Sequence, residues 1–251
     1  MKNTTNNCRR CGVSLTGFAV KIFGQEVRRS LTVCDDCYDA EERESQEREA
    51  LEVRAYIQGR RAEVKRNYRL HALRAGMPPL YHAADMETLV VDSSNQAAVE
   101  AARRYLSDPT RFLLLHGDAG RGKTWLAAAI FRDLLIRGIE VKFTRSMDML
   151  DRLRESVQRG DTRAAMDIYL TCPVLIIDDL AAERPTDWTV EQIYSLVDHR
   201  YSYNRGTVIT SNAPGSALSK IFGARTMSRI KAAGDVIEIK GEDRRLTKDG
   251  S

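Results

Sequence analysis

The sequence predicts an α/β protein: a parallel five-stranded sheet sandwiched by helices, preceded by a small zinc-binding module and a helical linker. Three observations carry this. Short apolar runs alternate with helix-patterned segments from about Leu80 onward, as in strands joined by crossover helices. A glycine-rich octapeptide, GDAGRGKT, falls between the first such strand and the first such helix. Two Cys-x2-Cys pairs precede all of it.

The 251 residues suit one mid-sized domain with a small appendage. With 43% hydrophobic and 29% charged residues, the chain can bury a core. No apolar run approaches the roughly eighteen residues that a membrane helix needs. The start, MKNTTNNCRR, lacks the apolar stretch of a signal peptide. A cytoplasmic location and no membrane partner are the expectation. The net charge of +4 is compatible with nucleic-acid contact and too small to establish it.

Residues 1–40 form the expected zinc module. Cys8 and Cys11 are followed, after residues 12–33, by Cys34 and Cys37, with a β-like stretch, GFAVKIFG, between the pairs. Two such pairs offer four thiolates for tetrahedral Zn²⁺, and Gly12 permits a tight turn that aims N–H groups at the sulfurs. No histidine lies nearby, and four ligands leave no open position, so the site reads as structural. So short a region depends on the metal for its folding energy. The fifth cysteine, Cys172, reads as a core residue.

Residues 41–79 form the linker. The run DAEERESQEREALEVR is acidic first and basic later, which suits a long solvated helix over about 39–75. Gly59 weakens it midway, and Met77-Pro78-Pro79 ends it.

Residues 80–251 hold the sheet. RFLLLH, GIEVKFT, PVLIIDDL, GTVITSN and DVIEIK read as its strands. Helices are expected over Lys123–Ile136 and over MDMLDRLRESVQ, DTRAAMDIYL, TDWTVEQIYSLVDHRYSY, SALSKIF and ARTMSRIKAA. The end, KGEDRRLTKDGS, reads as a polar tail that frays.

The octapeptide at 117–124 matches a phosphate-binding loop. Its glycines let the backbone curl around phosphates with N–H groups inward. Lys123 would reach the β- and γ-phosphates of ATP, and the Thr124 hydroxyl would ligate Mg²⁺. The nucleotide-binding set is Gly117, Asp118, Ala119, Gly120, Arg121, Gly122, Lys123, Thr124 and Trp125, at the start of a helix whose dipole favours an anion. Asp178 and Asp179 end a buried strand, where ligands of α/β sheets bind. Asp178 would hold Mg²⁺ through water, and Asp179 would position or deprotonate the attacking water. Asn212, in Thr210-Ser211-Asn212, would sense the γ-phosphate. The expected activity is ATP hydrolysis by residues 80–251.

From about Arg74 to Lys240 the chain resembles the DnaC-type helicase loaders and the related IstB-like ATPases of the AAA+ superfamily. The resemblance rests on AGMPPLYHAADM, GDAGRGKT, LIIDDL, HRYSYNRGTVITSN and ARTMSRI. It implies an arginine finger at Arg225, reaching the γ-phosphate of a neighbouring subunit in an ATP-bridged oligomer. It implies a second sensor at Arg229, acting on its own subunit's nucleotide. It implies that the insertion at 146–170, with Arg145, Arg152, Arg154, Arg159, Arg163 and Lys142, touches single-stranded DNA, although Asp148, Asp151, Glu155, Asp161 and Asp167 are interleaved. The partner it implies is a replicative hexameric helicase of the DnaB type, captured by residues 1–75. The compact build fits a phage-encoded member. Too few residues follow Lys240 for a full helical lid, so weak turnover by the monomer is expected. The alternative is an IstB-like transposition helper acting on duplex DNA; the N-terminal zinc module and long linker favour the loader.

Overall fold

The computed structural model describes residues 6–15, 19–22, 25–28, 33–180 and 186–245. It divides into two compact units, Met1–Gly59 and Arg60–Ser251.

In the first unit, β1 (Asn6–Asn7) and β2 (Ser14–Leu15) pair antiparallel across a tight turn. Gly12 supplies the left-handed conformation this turn needs, with φ +77°. Its N–H returns to Cys8 O at 2.9 Å, while Cys8 N–H reaches Val13 O at 2.8 Å. GFAVKIFG holds one arm of a hairpin, β3 (Ala19–Ile22), which pairs with β4 (Gln25–Arg28). Its residues 17, 18, 23 and 24 lie outside the described residues. The helix α1 (Asp35–Arg66) opens on Asp35 and Asp36 and closes on Lys65 and Arg66, each set opposing the dipole charge at its end. Gly59 does not interrupt it, because one glycine costs only about 1 kcal/mol in a helix of this length. The helix crosses into the second unit after Gly59 and breaks there at Asn67, before α2 (Tyr68–Arg74) buries Tyr68 and Ala72.

In the second unit, a 3₁₀ turn at Pro79–Tyr81 leads to α3 (Gln96–Ser107). This helix is not among the expected elements. Much of its buried face is Ala98, Ala101 and Ala102, too small to stand out as an apolar stripe. The strands are β5 (Phe112–His116), β6 (Val141–Arg145), β7 (Val174–Asp178), β8 (Gly206–Ser211) and β9 (Gly234–Glu238). They lie in the order β6-β7-β8-β5-β9, every neighbouring pair parallel. Between them run α4 (Lys123–Ile136), α5 (Ser146–Arg159), α6 (Thr162–Thr171), α7 (Asp187–Ser202), α8 (Gly215–Phe222) and α9 (Ala224–Ala233).

Strands β5, β7 and β8 are buried along their whole length, as central parallel strands are. Alternate side chains face opposite ways. Leu113, Leu115 and Ile176 pack with α3 and α4 on one face; Leu114, Leu175, Ile177 and Ile209 pack with α5 to α9 on the other. The register pairs Leu115 with Thr210, His116 with Ser211, and Arg145 with Asp178. Strands β5 to β8 therefore end along one edge, and the polar strand ends gather there.

One cation is wholly buried. Arg200 of α7 has no exposed surface. It donates to Tyr169 O at 2.7 Å, to Cys172 O at 3.0 Å, to Thr207 Oγ1 at 2.8 Å, and to Gly206 O. It clamps the carbonyl end of α6 to the first residues of β8, and burial pushes its guanidinium pKa down. Arg200→Met is expected to lower stability by about 3 kcal/mol or more, because several buried acceptors lose their donor. Arg200→Lys should recover little, since an ammonium cannot span the same acceptors. Urea denaturation of the three proteins measures both effects.

Candidate active site

The phosphate loop takes its shape from glycine. Gly117, Gly120 and Gly122 have φ of +133°, +77° and +89°, which other residues rarely adopt. Gly122 is the N-cap of α4, so the loop runs straight into the helix. Lys123 is buried to 5% exposure, and its Nζ donates to Gly117 O at 2.7 Å and Asp118 O at 2.6 Å. Burial pushes its pKa down, and the charges of Asp179 and Asp178 oppose that. Asp118 and Arg121 pair across the loop's outer side at 2.9 Å.

Asp178 ends β7 and is 5% exposed. Its Oδ1 accepts from Thr124 Oγ1 at 2.8 Å and from Thr210 Oγ1 at 2.6 Å. Thr210 Oγ1 accepts in turn from Asp179 N–H at 2.8 Å. Asp179 sits at φ +56°, a left-handed conformation that aspartate tolerates and that marks many functional turns. Ser146 Oγ holds the Asp179 carbonyl at 2.7 Å, and Asn212 Nδ2 donates to the Asp179 carboxylate. Thr124, Asp178, Thr210, Asp179 and Asn212 thus form one hydrogen-bonded group at the strand ends, and Lys123 interacts with its two carboxylates by charge. Its donor set fits the triphosphate and metal expected from the sequence. A buried cation and a ring of loop N–H groups suit phosphate, and a hydroxyl beside a carboxylate could hold a hydrated Mg²⁺.

Three participants were not singled out from the sequence. Thr210 joins the two aspartates. Tyr81, on the 3₁₀ turn, meets the Trp125 ring edge-on at 6.4 Å. His116, just before Gly117, is buried, and burial pushes its pKa down. Nothing but strand-end position marks Thr210 and His116 in advance, and Tyr81 arrives from outside the sheet.

The two arginines of α9 stand elsewhere. Arg225 is exposed, and no ion pair among the described residues holds it. Arg229 pairs with Asp198, reaches Tyr194 Oη at 3.4 Å and lies over the Tyr194 ring at 5.2 Å. These contacts are to α7. In the insertion, Arg145, Arg154 and Arg159 pair with Asp148, Asp151 and Glu155. Arg159 also pairs with Asp161.

In the first unit, Cys8 and Cys11 flank the turn, and Cys34 and Cys37 enter α1. The four sulfurs all lie within 4.8 Å of one another. Four thiolates about 2.3 Å from one Zn²⁺ would sit roughly 3.8 Å apart, so the cluster fits that ion. Backbone N–H groups of Cys11, Cys34 and Arg10 hold the Cys8 thiol down to about 6. Hydrogen bonds with Cys11 and Cys34 push Cys37 up. The crowded thiols cannot all ionise unaided, and a dication removes that conflict.

Residues 58–250 match the family described as IstB-like ATP binding protein. The chain is similar to the replicative helicase loader DnaC of Escherichia coli K12, at 26% identity over 63% of this chain and 67% of that protein. It is similar to an insertion-sequence ATP-binding protein of Sinorhizobium fredii, at 30% identity over 61% of this chain and 51% of that one. A crystal structure of the DnaC helicase loader superposes with a TM-score of 0.60 and 27% identity, over 65% of this chain and 100% of that one. Fold and ATP-binding class agree with the sequence expectation. Among the described residues no helix is long and apolar enough to cross a membrane.

Burial pushes the Asp178 carboxyl above its ordinary value, against the two hydroxyls that donate to it. The folded state therefore binds protons more tightly than the unfolded one. The ionised carboxylate costs stability above its folded pKa, and the cost fades as pH falls through that value toward 3.8. Asp178→Asn should stabilise the nucleotide-free protein at pH 7 by on the order of 1 kcal/mol. Thermal melts across pH should show this gain shrinking in acid.

Proposed function

The chain belongs to the IstB-like ATP-binding protein family, and from that premise we propose that it is an ATPase that loads a replicative DnaB-type helicase onto single-stranded DNA. The observation that carries the reading is the hydrogen-bonded group from Thr124 to Asn212 at the strand ends, with the buried Lys123 beside it. The relatives named as helicase loaders support the choice of partner.

In this reading Gly117 to Trp125 cradle ATP, and Lys123 turns from the loop carbonyls to the β- and γ-phosphates. Thr124 and, through water, Asp178 would hold Mg²⁺, which when bound would offset the charge of the phosphates. Asp179, oriented by Asn212 and by its own strained backbone, positions a water in line with the γ-phosphorus. The water oxygen bonds to phosphorus, the bond to the β-phosphate oxygen breaks, and the water's proton leaves by way of Asp179. Asn212 reports the presence of the γ-phosphate. Arg225, exposed and without an ion pair among the described residues, reaches the nucleotide of a neighbouring subunit, so turnover depends on assembly. Arg229 is the second sensor; it must first leave Asp198.

Residues 146–170 are the single-stranded DNA contact. Their ion pairs are solvent-exposed and weak, so phosphates can replace the carboxylates. Residues 1–40 are a zinc module, 41–79 a linker whose part from Arg60 onward packs into the larger unit, and 80–251 the ATPase, and the module captures the helicase. A second reading, a transposition helper acting on duplex DNA, has the support of the insertion-sequence relative.

The test is light scattering during size-exclusion chromatography of the protein mixed with a DnaB-type helicase, with and without MgATP. The deletion should stop at Gly59, because Val64, Tyr68 and Ala72 belong to the core of the larger unit. A defined complex that is lost on removing residues 1–59, or on stripping zinc, supports the loader. No complex in any nucleotide state, with capture of duplex DNA and a transposase instead, favours the second reading.

A further inference from the structure

Residues 239–245, which follow β9, do not fray. They run back along the phosphate loop. Ile239 N–H donates to His116 O at 2.8 Å, and Lys240 N–H to Ser94 O at 3.3 Å. Arg244 N–H then donates to Gly120 O at 2.9 Å, in the middle of the loop. The side chains follow the same course. Arg244 pairs with Asp92 and donates to Ser94 Oγ at 3.1 Å. The Asp243 carboxylate accepts from Arg245 N–H at 2.9 Å and from its Nε at 3.0 Å.

The loop glycines are fitted to this segment. A Cβ at Gly120 would overlap the Asp243 carboxylate, and one at Gly117 would overlap the carbonyl oxygen of Ile239. One at Gly122 would lie 3.6 Å from Arg244 Cδ. At Gly117, where the neighbour is backbone, glycine is needed for close approach as well as for positive φ.

A phosphate-binding loop turns its N–H groups inward, so its carbonyls need donors on the outside. Arg244 supplies one to Gly120. A glycine-rich loop also loses more conformational freedom on ordering than any other, and contacts that order it beforehand lower the cost of binding. We infer that residues 239–245 are a strap that pre-organises the phosphate loop for nucleotide, with Asp243 and Arg244 as positioning residues and Asp92 and Ser94 as their anchor. The inference rests on the reading of residues 117–124 as the ATP site. It makes nucleotide affinity a property of three separated segments: the loop, the entry to α3 and the chain past β9.

The experiment is titration of the full chain with a fluorescent ATP analogue and Mg²⁺, beside steady-state ATPase kinetics and a thermal melt. The proteins are wild type, Lys123→Ala, Arg244→Ala, Arg244→Lys, Asp92→Ala and the double variant Arg244→Ala/Asp92→Ala. Arg244→Ala and Asp92→Ala should each weaken binding about tenfold, the worth of a charge-assisted contact. The double variant should be little worse than either single one, because the two residues act as one unit. KM should rise with kcat at saturation nearly kept, and Arg244→Lys should recover part of the affinity. A merely structural role would lower the melting temperature and leave KM alone. Asp92 is exposed, so Asp92→Ala keeps the test decisive even if Arg244→Ala folds poorly. Wild-type affinity in both single variants, with binding lost in Lys123→Ala, overturns the strap and leaves the ATP site standing. A wild type that binds no nucleotide overturns both.

Discussion

Much of the site depends on one buried carboxylate. Asp178 accepts from Thr124 on α4 and from Thr210 on β8, so a single oxygen ties the helix after the phosphate loop to two neighbouring strands. Keeping a charge at 5% exposure is unfavourable, and two hydroxyl donors offset only part of the penalty. A fold selected for stability alone would place a neutral residue there. The carboxylate makes sense beside a cation or a metal, and Lys123 contributes one charge. Thr210 passes the constraint on to the Asp179 N–H, which helps to hold Asp179 in its left-handed conformation.

The same logic governs the small unit. Four thiols within 4.8 Å of one another cannot all ionise, and so short a segment has little core of its own. A metal resolves both problems. The arginine-rich insertion is different in kind. Its arginines are exposed, and Arg145, Arg154 and Arg159 are matched by acids one helical turn away, which weakens the local field. Such a surface can trade partners, which suits sequence-independent contact better than tight recognition.

What was legible in the sequence follows a physical rule. Strands β5 and β7 are nearly continuous apolar runs because both faces are covered, and such runs stand out. The phosphate loop is legible because its chemistry needs glycines, a lysine and a hydroxyl at fixed local spacing. The helix α3 escaped because alanine packs closely without signalling. The break at Asn67 escaped because glycine content suggested Gly59, while the deciding factor was where Val64, Tyr68 and Ala72 could be buried. GEDRR reads as a solvated tail, since every residue in it is polar or glycine. Its contacts with Gly120, Asp92 and Ser94 span more than a hundred residues and leave no local pattern. Residues 246–251 of that tail lie outside the described residues. Thr210 and Tyr81 were hidden for the same reason: their partners are distant in the chain.

Calorimetric titration of ATP into the full chain, with and without Mg²⁺, tests most directly whether the group around Asp178 is a MgATP site. Such a site gives one binding event per chain, with affinity that falls when Mg²⁺ is withheld and is lost in Lys123→Ala. Equal heats with and without Mg²⁺, or binding that survives Lys123→Ala, would contradict it.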